Sequence, residues 1–526
     1  MKKIVENKYA ICIFAVFVVL MIGVLSKKED FHIDEYYSYG LANSPNGLGM
    51  AVDWGIEYER DGLNRLFVNY LAVWEDEIFD YKTVWANQSD DVHPPLYYAV
   101  LHTISSLFPG KFSIWFAGSI NIIFALLTLG VLRKLANAIF QVPFLTNLIS
   151  IVFALSAEVL SATSFFRMYI MAMFFVTLTT YYFVELVEKQ ELSWKEYFCL
   201  FALSVSGALT HYYYVVYLVF ICVVYGIWLL VKKQWKNLIV FVGTMIASAF
   251  SAIVIFPAML EHVFSGYRGA ETMENFANSS LSDYGRRLSF FYKIFNERLF
   301  GGMLSWVVIG LVVFVLAMQL KNSKWIKGEL QQIAKNETII IKGLLIVVPT
   351  IFYYFIIAKV TIDNGSERYM VPIYAIAMLM FMGAVYYVTK RLVEGNVAKV
   401  FLCVFSVIVI VNGWMTASWP HLYIGALANR EVISDYAEAD AVVIYDHIYK
   451  VHMSYPELSK YNSVTFMVDY NDYWISDWDC VQGEELVLVL VGLKEDEVQK
   501  ILTYCPFMND YEIISNYGYC TTYRLY

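Results

Sequence analysis

Charged side chains are scarce in this sequence. Asp, Glu, Lys and Arg make up 16% of its 526 residues, too little charge to cover a water-soluble protein of that length. Cysteine is scarce as well, seven in all, and its placement excludes a disulfide framework. Cys12, Cys199, Cys222 and Cys403 fall in apolar runs, where a thiol behaves as a small hydrophobe. Cys480, Cys505 and Cys520 form an odd set, so one pair at most can bridge and the pairing stays open. No basic or repetitive tract suggests nucleic acid as a partner. No A-x-A-like cleavage site precedes Lys27, which argues against a cleaved signal peptide.

What fills the chain instead is apolar length. Hydrophobic residues make up 59% of it, and the mean hydropathy is +0.53. Repeated apolar runs match the ~20 residues that cross a hydrocarbon core. They cover roughly 9–25, 111–132, 143–162, 168–187, 195–210, 212–231, 237–258, 303–320, 338–358, 370–389 and 399–417, about eleven spans. Lys2, Lys3 and Lys8 place the N-terminus on the cytoplasmic side. Alternation then puts Arg133-Lys134, Lys189 with Lys195, Lys232-Lys233 with Lys236, Lys321 with Lys324, Lys327 and Lys335, and Lys390-Arg391 in cytoplasmic loops. Each carries at least two basic residues, as the positive-inside bias demands.

Residues 26–110 are too polar and broken to span. They read as a first outer loop, rich in Tyr and Trp, with helices at headgroup level. The net charge of −9 is also unevenly spread: residues 421–526 hold 17 Asp/Glu against 6 Lys/Arg. That acidic tail alternates β-rich runs (Ala441–Tyr445, Val464–Val468, Leu486–Val491, Tyr511–Ser515, Cys520–Leu525) with a helical stretch, Lys494–Thr503. The expected architecture is a polytopic α-helical membrane domain, 1–417, followed by a small extracytoplasmic α/β domain, 418–526. No catalytic motif stands out in the tail.

Five polar clusters interrupt the apolar pattern: Asp34-Glu35, Asp90-Asp91-Val92-His93-Pro94-Pro95, Arg167-Met168-Tyr169, His211-Tyr212-Tyr213-Tyr214 and Glu367-Arg368-Tyr369. The topology puts all five at the outer boundary of the membrane. Asp34-Glu35 reads either as a solvated acidic pair at a helix start or as a general base, since a carboxylate beside apolar surface holds protons more tightly. His93-Pro94-Pro95 either opens an interfacial helix or sets a hydrogen-bond donor beside a phosphate. Arg167 and Arg368 either snorkel to headgroups or clamp a lipid phosphate with their bidentate forks. Glu367 is placed to orient Arg368, and Glu158 to pair with Arg167 or to serve as a proton or metal group. His211 reads equally as a satisfied bundle histidine or a ligand. Tyr169 and Tyr369 stand at span ends, where tyrosines are mostly interface anchors.

Taken in order, an Asp-Glu pair after the first span, an outer loop closing on His93-Pro94-Pro95-Leu96, an Arg-x-Tyr at Arg167 and an Arg-Tyr at Arg368 resemble the GT-C glycosyltransferases. The nearest branch is that of the protein O-mannosyltransferases and aminoarabinose transferases. The resemblance covers about residues 1–417. It implies a polyprenyl-phosphate-linked sugar donor and an inverting transfer to an acceptor glycan, lipid or protein at the outer face of the cell membrane. Asp34 matches the family's catalytic acid position, with Glu35 its neighbour. His93 matches the mannosyltransferase branch; the aminoarabinose branch has lysine there. Arg167 with Tyr169 and Arg368 with Tyr369 match by motif, and His211 lies in a cluster that the family shares only loosely; phosphate binding is inferred for them, with Asp91, Glu158 and Glu367 in support.

Nucleotide sugars are not available outside the cytoplasm, so such an enzyme needs a donor delivered within the membrane lipids. Fixed Arg and His donors would stabilise the departing phosphate. Asp34 would deprotonate an acceptor hydroxyl opposite an oxocarbenium-like sugar, by analogy with inverting glycosidases. A divalent metal remains an open cofactor, since Asp34, Glu35, Asp90, Asp91 and His93 have ligand chemistry but no diagnostic spacing. A transporter or flippase of a lipid-linked glycan is the alternative; against it stand the lack of internal repeats and the charges gathered at one face. A scaffold docking through its acidic tail is a third reading.

Overall fold

The computed structural model describes residues 2–28, 31–50, 52–53, 55–321, 336–361, 367–417, 430–468, 479–517 and 519–526. Two compact units divide the chain. One comprises Met1–Ser26, Asp91–Tyr97 and Gly118–Leu422; the other comprises Lys27–Asp90, Tyr98–Ala117 and Tyr423–Tyr526. This differs from the expected division at residue 417, because the first loop folds with the C-terminal residues. Lys324, Lys327 and Lys335, the junction near 418 and the Cys480 side chain lie outside the described residues.

The first unit is helical and crosses the membrane. Eight helices are long and apolar enough to span, or ten if each of two bent pairs counts as one. Each of the eleven expected runs coincides with helix. The count differs because the run at 195–210 forms a helix of 15 residues, Trp194–Ala208, short for a ~30 Å core.

The bends have local causes. The run at 143–162 breaks at Ser156 into Pro143–Leu155 and Ala157–Ser164, at 52°. There the Ser156 hydroxyl accepts the Val159 N–H, and the Trp414 indole N–H donates to the freed Leu155 carbonyl at 2.9 Å. Both ends of the break are thereby satisfied. The second bend, 100°, separates Leu281–Leu299 from Met303–Ala317. Gly301 and Gly302 have φ of 56° and 78°, and a Cβ on Gly301 would strike the Val409 carbonyl. Only glycine fits such an approach.

The second unit is α/β. Its six strands are β1 (Glu57–Glu59), β2 (Asp440–Tyr445), β3 (Ser463–Val468), β4 (Leu486–Val491), β5 (Tyr511–Tyr517) and β6 (Cys520–Leu525). They line up in the order β1-β3-β2-β4-β6-β5. β3, β2 and β4 are parallel, and the other pairings are antiparallel. β2 and β4 are buried along nearly their whole length, as strands covered on both faces must be. One face packs Val442, Ile444, Leu488 and Leu490 against Val498 and Ile501 of the helix Asp496–Leu502. The five strands expected in the tail appear within two residues of their expected ends. β1 was not expected; it comes from the first loop, where three residues, Glu-Tyr-Glu, carry no readable alternation. Arg60 fixes it by donating to the carbonyls of Tyr461, Ala437 and Lys460.

His452 sits wholly buried in this unit. Its ring stacks on Tyr70 at 4.2 Å and meets Tyr37 edge-on at 5.8 Å. Its Nε2 donates to the Leu48 carbonyl at 3.0 Å, which ties the C-terminal residues to the first loop. Burial pulls its pKa down from 6.5 to about 4, against the opposing pull of the Leu48 carbonyl. An unfolded chain therefore binds a proton between pH 6.5 and 4 that the folded unit refuses, so stability falls as pH drops through that window and is flat above it. We expect acidification from pH 7 to 4.5 to cost about 2–3 kcal/mol through this one group. Hydrogen exchange in the α/β unit checks this: His452→Phe should flatten the pH dependence by that amount, and an unchanged slope would refute the assignment.

Candidate functional site

Asp34 and Glu35 both belong to the α/β unit, in the helix Ile33–Asn43, and they play different parts. His32 caps this helix: its Nδ1 accepts the Asp34 N–H at 3.2 Å. Glu35 completes the reciprocal cap, its Oε2 accepting the His32 N–H at 2.7 Å. Lys28 donates to both Glu35 oxygens, at 2.9 and 3.0 Å, and neither side chain of that pair is exposed. Glu35 is thus held in a buried ion pair and in the cap of its own helix. Asp34 keeps 19% of its side chain exposed, at a helix start where the N–H dipoles favour a carboxylate.

The other clusters converge within the membrane unit. The loop before the helix Leu96–Ser106 is pinned where the Leu96 N–H donates to the Leu209 carbonyl at 3.0 Å. That brings His93 beside the turn that ends the helix Trp194–Ala208. The turn carrying Arg167 is held by Asn121, whose amide donates to the Thr163 and Phe165 carbonyls.

His93 is the link between two charges. Its Nδ1 lies 2.8 Å from Asp91 Oδ2, and Arg167 Nη2 lies 3.2 Å from its Nε2 and 3.4 Å from its Nδ1. A carboxylate facing Nδ1 puts the proton there and leaves Nε2 as the acceptor for Arg167. Burial alone would raise the Asp91 pKa, but the His93 ring with its hydrogen bond, and then the Arg167 charge, hold it below the usual carboxylate value. Asp91 is thus ionised at neutral pH, and the buried Arg167 guanidinium has a counter-charge one ring away.

His211 caps the helix Tyr212–Val231 by accepting the Tyr213 N–H on its Nδ1 at 3.0 Å. Burial, followed by the neighbouring His93 ring and Arg167 charge, holds its pKa well below the ordinary value, so the ring is neutral. With Nδ1 accepting, the proton is on Nε2, and that buried nitrogen has no hydrogen-bond partner among the described residues. Rings surround it: Tyr213 at 4.7 Å, Tyr169 at 5.2 Å and His93 at 6.3 Å. Tyr369 packs on Tyr213 at 5.1 Å and on Tyr169 at 6.3 Å. The Arg368 guanidinium lies over the rings of Phe165 and Tyr369, at 5.8 and 5.7 Å. This is a cluster of aromatic rings with cationic and neutral N–H donors among them, a chemistry suited to an anion.

Two supporting residues have partners that the sequence did not foretell. Arg298 pairs with Glu367, which was expected to orient Arg368. Glu158, expected to pair with Arg167 or to serve as a proton or metal group, accepts the Tyr374 hydroxyl at 2.8 Å. Arg298 stands in a wide π turn, Ile294–Leu299, and no motif marks it; Tyr374 is hidden in an apolar run. Among the described residues no three His, Cys, Asp or Glu side chains are grouped to hold a metal ion.

The distinction between the two acidic neighbours is testable. Glu35→Gln removes one charge of the buried Lys28–Glu35 pair and should destabilise the α/β unit by about 3–5 kcal/mol, whereas Asp34→Asn, at a partly exposed position, should cost less than about 1 kcal/mol. Thermal unfolding of the two variants decides; equal losses would remove the distinction.

Comparisons with known proteins bear on the fold and on one stretch of the sequence. The family model of dolichyl-phosphate-mannose-protein mannosyltransferase matches residues 89–266, the stretch that carries Asp91, His93, Glu158, Arg167, Tyr169 and His211. No curated protein matches significantly by sequence. Among solved structures, ArnT from Cupriavidus metallidurans superimposes with a TM-score of 0.53, both bound to undecaprenyl phosphate and in the apo state. The identities are 11% and 12%, over 98% of this chain and 98% of that one. An oligosaccharyltransferase from Archaeoglobus fulgidus in complex with Zn and sulfate gives 0.48 at 10% identity, over 96% of this chain and 72% of that one. The ArnT fold therefore extends over nearly the whole chain, and the mannosyltransferase family match lies over the stretch from Asp91 to His211.

Proposed function

We propose that this protein transfers a sugar from a polyprenyl-phosphate donor to a hydroxyl-bearing acceptor on the extracytoplasmic face, with inversion at the anomeric carbon. The observation that carries the reading is the His211 Nε2–H, buried and unpartnered among aromatic rings, with Arg167 in the same cluster. A buried donor without an acceptor is costly. A phosphate oxygen supplies the missing acceptor, and the guanidiniums of Arg167 and Arg368 supply the counter-charge. ArnT, which shares the fold, has been captured with undecaprenyl phosphate.

The chemistry derives from charge placement. As the sugar–phosphate bond lengthens, negative charge collects on the departing phosphate, and donors already fixed around it stabilise that charge without reorganising. Asp91, through His93, keeps the Arg167 fork in place. Asp34 is the residue we assign as the base for the acceptor's hydroxyl proton, on its place at the start of a helix just after the first span. Glu35 and Lys28 hold the helix start on which Asp34 rides. An outward-facing site is what such a donor calls for, and it agrees with the basic bias of the connections assigned to the cytoplasm.

Two variants test the two halves separately. Arg167→Ala should weaken polyprenyl phosphate binding by about 10- to 100-fold, the range for a hydrogen bond to a charged group, measured in nanodiscs by native mass spectrometry. Asp34→Asn should bind the lipid normally and lose about 10²- to 10⁴-fold in turnover. Turnover is read from mass spectra of envelope glycans and proteins in a deletion strain carrying each variant. Restoration of the missing sugar by Asp34→Asn would refute the base assignment, and unchanged lipid binding by Arg167→Ala would refute the phosphate pocket.

A further inference from the structure

The α/β unit has its own place for a ligand. Its chain leaves β2, forms β3 on one side, then returns past β2 to form β4 on the other. The direction of strand addition reverses between β2 and β4. In open parallel sheets the backbone splays outside the carboxyl ends of the strands at such a switch point, and ligands bind in the resulting crevice.

The residues at that crest are of one chemical kind. β2 ends at Tyr445 and is followed by Asp446, whose N–H donates to the Val491 carbonyl at the end of β4. After β4 comes Gly492, with φ of 74°. A Cβ there would sit on the Asp446 carboxylate, so the glycine is what lets that carboxylate lie against the strand end. Asp446 pairs with Lys450 through one oxygen. Its other oxygen, Oδ1, is buried and has no hydrogen-bond partner among the described residues, a costly state that a ligand hydroxyl would relieve.

Aromatic faces flank this pair. Tyr449 and Tyr519 are 39% and 52% exposed, and the Lys450 ammonium lies 5.9 and 5.6 Å from their centroids. The Gly492 N–H donates to the Tyr519 carbonyl at 2.7 Å, which fixes that ring's base. The crest also reaches the helix that carries Asp34. The Tyr37 hydroxyl donates to the Tyr449 carbonyl at 2.7 Å, and Tyr37 lies one turn beyond Asp34 on the same helix face.

We propose that Asp446, Lys450, Tyr449 and Tyr519 form a subsite for a carbohydrate acceptor, continued by Tyr37 toward Asp34. It rests on the transferase reading only in calling that ligand an acceptor. The Asp446–Lys450 pair cancels in charge, so the patch selects neither anions nor cations. A carboxylate beside an ammonium presents an acceptor next to a donor, which suits vicinal hydroxyls that each do both. Exposed phenol faces suit the apolar C–H face of a pyranose. A peptide offers neither feature at regular spacing.

The test uses full-length protein in nanodiscs on an array printed with glucose-, mannose-, galactose- and N-acetylglucosamine-based oligosaccharides and with peptides. The wild type should retain at least one class of oligosaccharide. Tyr519→Ala should weaken that retention by about 3- to 10-fold, the contribution of an aromatic contact, and Asp446→Asn by about tenfold or more. Tyr519 is exposed and Asp446→Asn is isosteric, so unchanged thermal unfolding is expected of both. Retention of peptides alone, of no sugar, or of sugar equally by both variants overturns the subsite. Polyprenyl phosphate binding on the same samples separates this from the transferase reading: sugar retention without lipid binding leaves the subsite standing and removes the donor pocket.

Discussion

A guanidinium buried at the end of a membrane helix must find a counter-charge or it will not stay there. Arg167 is 3% exposed, and a counter-charge reaches it through a ring: Arg167 to His93, His93 to Asp91. A bidentate carboxylate in the place of His93 would occupy the fork and neutralise it on the spot. An imidazole between the two charges keeps Asp91 from closing on the fork itself. The neutral state of His211 has the same origin, since a second cation so close would be repelled as well as desolvated.

The membrane unit was readable from the sequence because hydrocarbon thickness sets a length that shows directly in the chain. Every long apolar run is helix, and the broken one is broken at a serine able to cap the next helical segment. The clusters at Asp91-His93, Arg167, His211 and Arg368 were legible because polar groups beside such runs are rare, and four of them do meet. Pairings were less legible. Glu367 with Arg298 and Glu158 with Tyr374 join residues 69 and 216 positions apart, and nothing local encodes a partner so distant. The surroundings of Glu35 were illegible for a related reason: a sequence shows an acidic pair, but only the fold shows that one member is buried against Lys28 and within a helix cap.

The α/β unit shows the same division between local and distant information. Strands β2 to β6 announce themselves by composition, since Val-rich runs between turns fit a sheet buried on both faces. The three-residue β1 does not, because its place is secured by Arg60 reaching carbonyls about 400 positions away. The crest at Asp446 is a property of strand order, which no single segment contains.

The edge strand has a consequence for biogenesis. β1 is synthesised early, but its hydrogen-bonding partner β3 emerges only after the helices of the membrane unit have been made. Until then the first loop must wait, its ladder groups open and its aromatic residues without their final neighbours. Contacts of such long sequence separation form slowly and expose sticky edges in the interval. The last fifth of the polypeptide therefore acts as the final checkpoint on the first, and a chain stopped short of it would present quality-control proteases with an inserted bundle and an unfinished head.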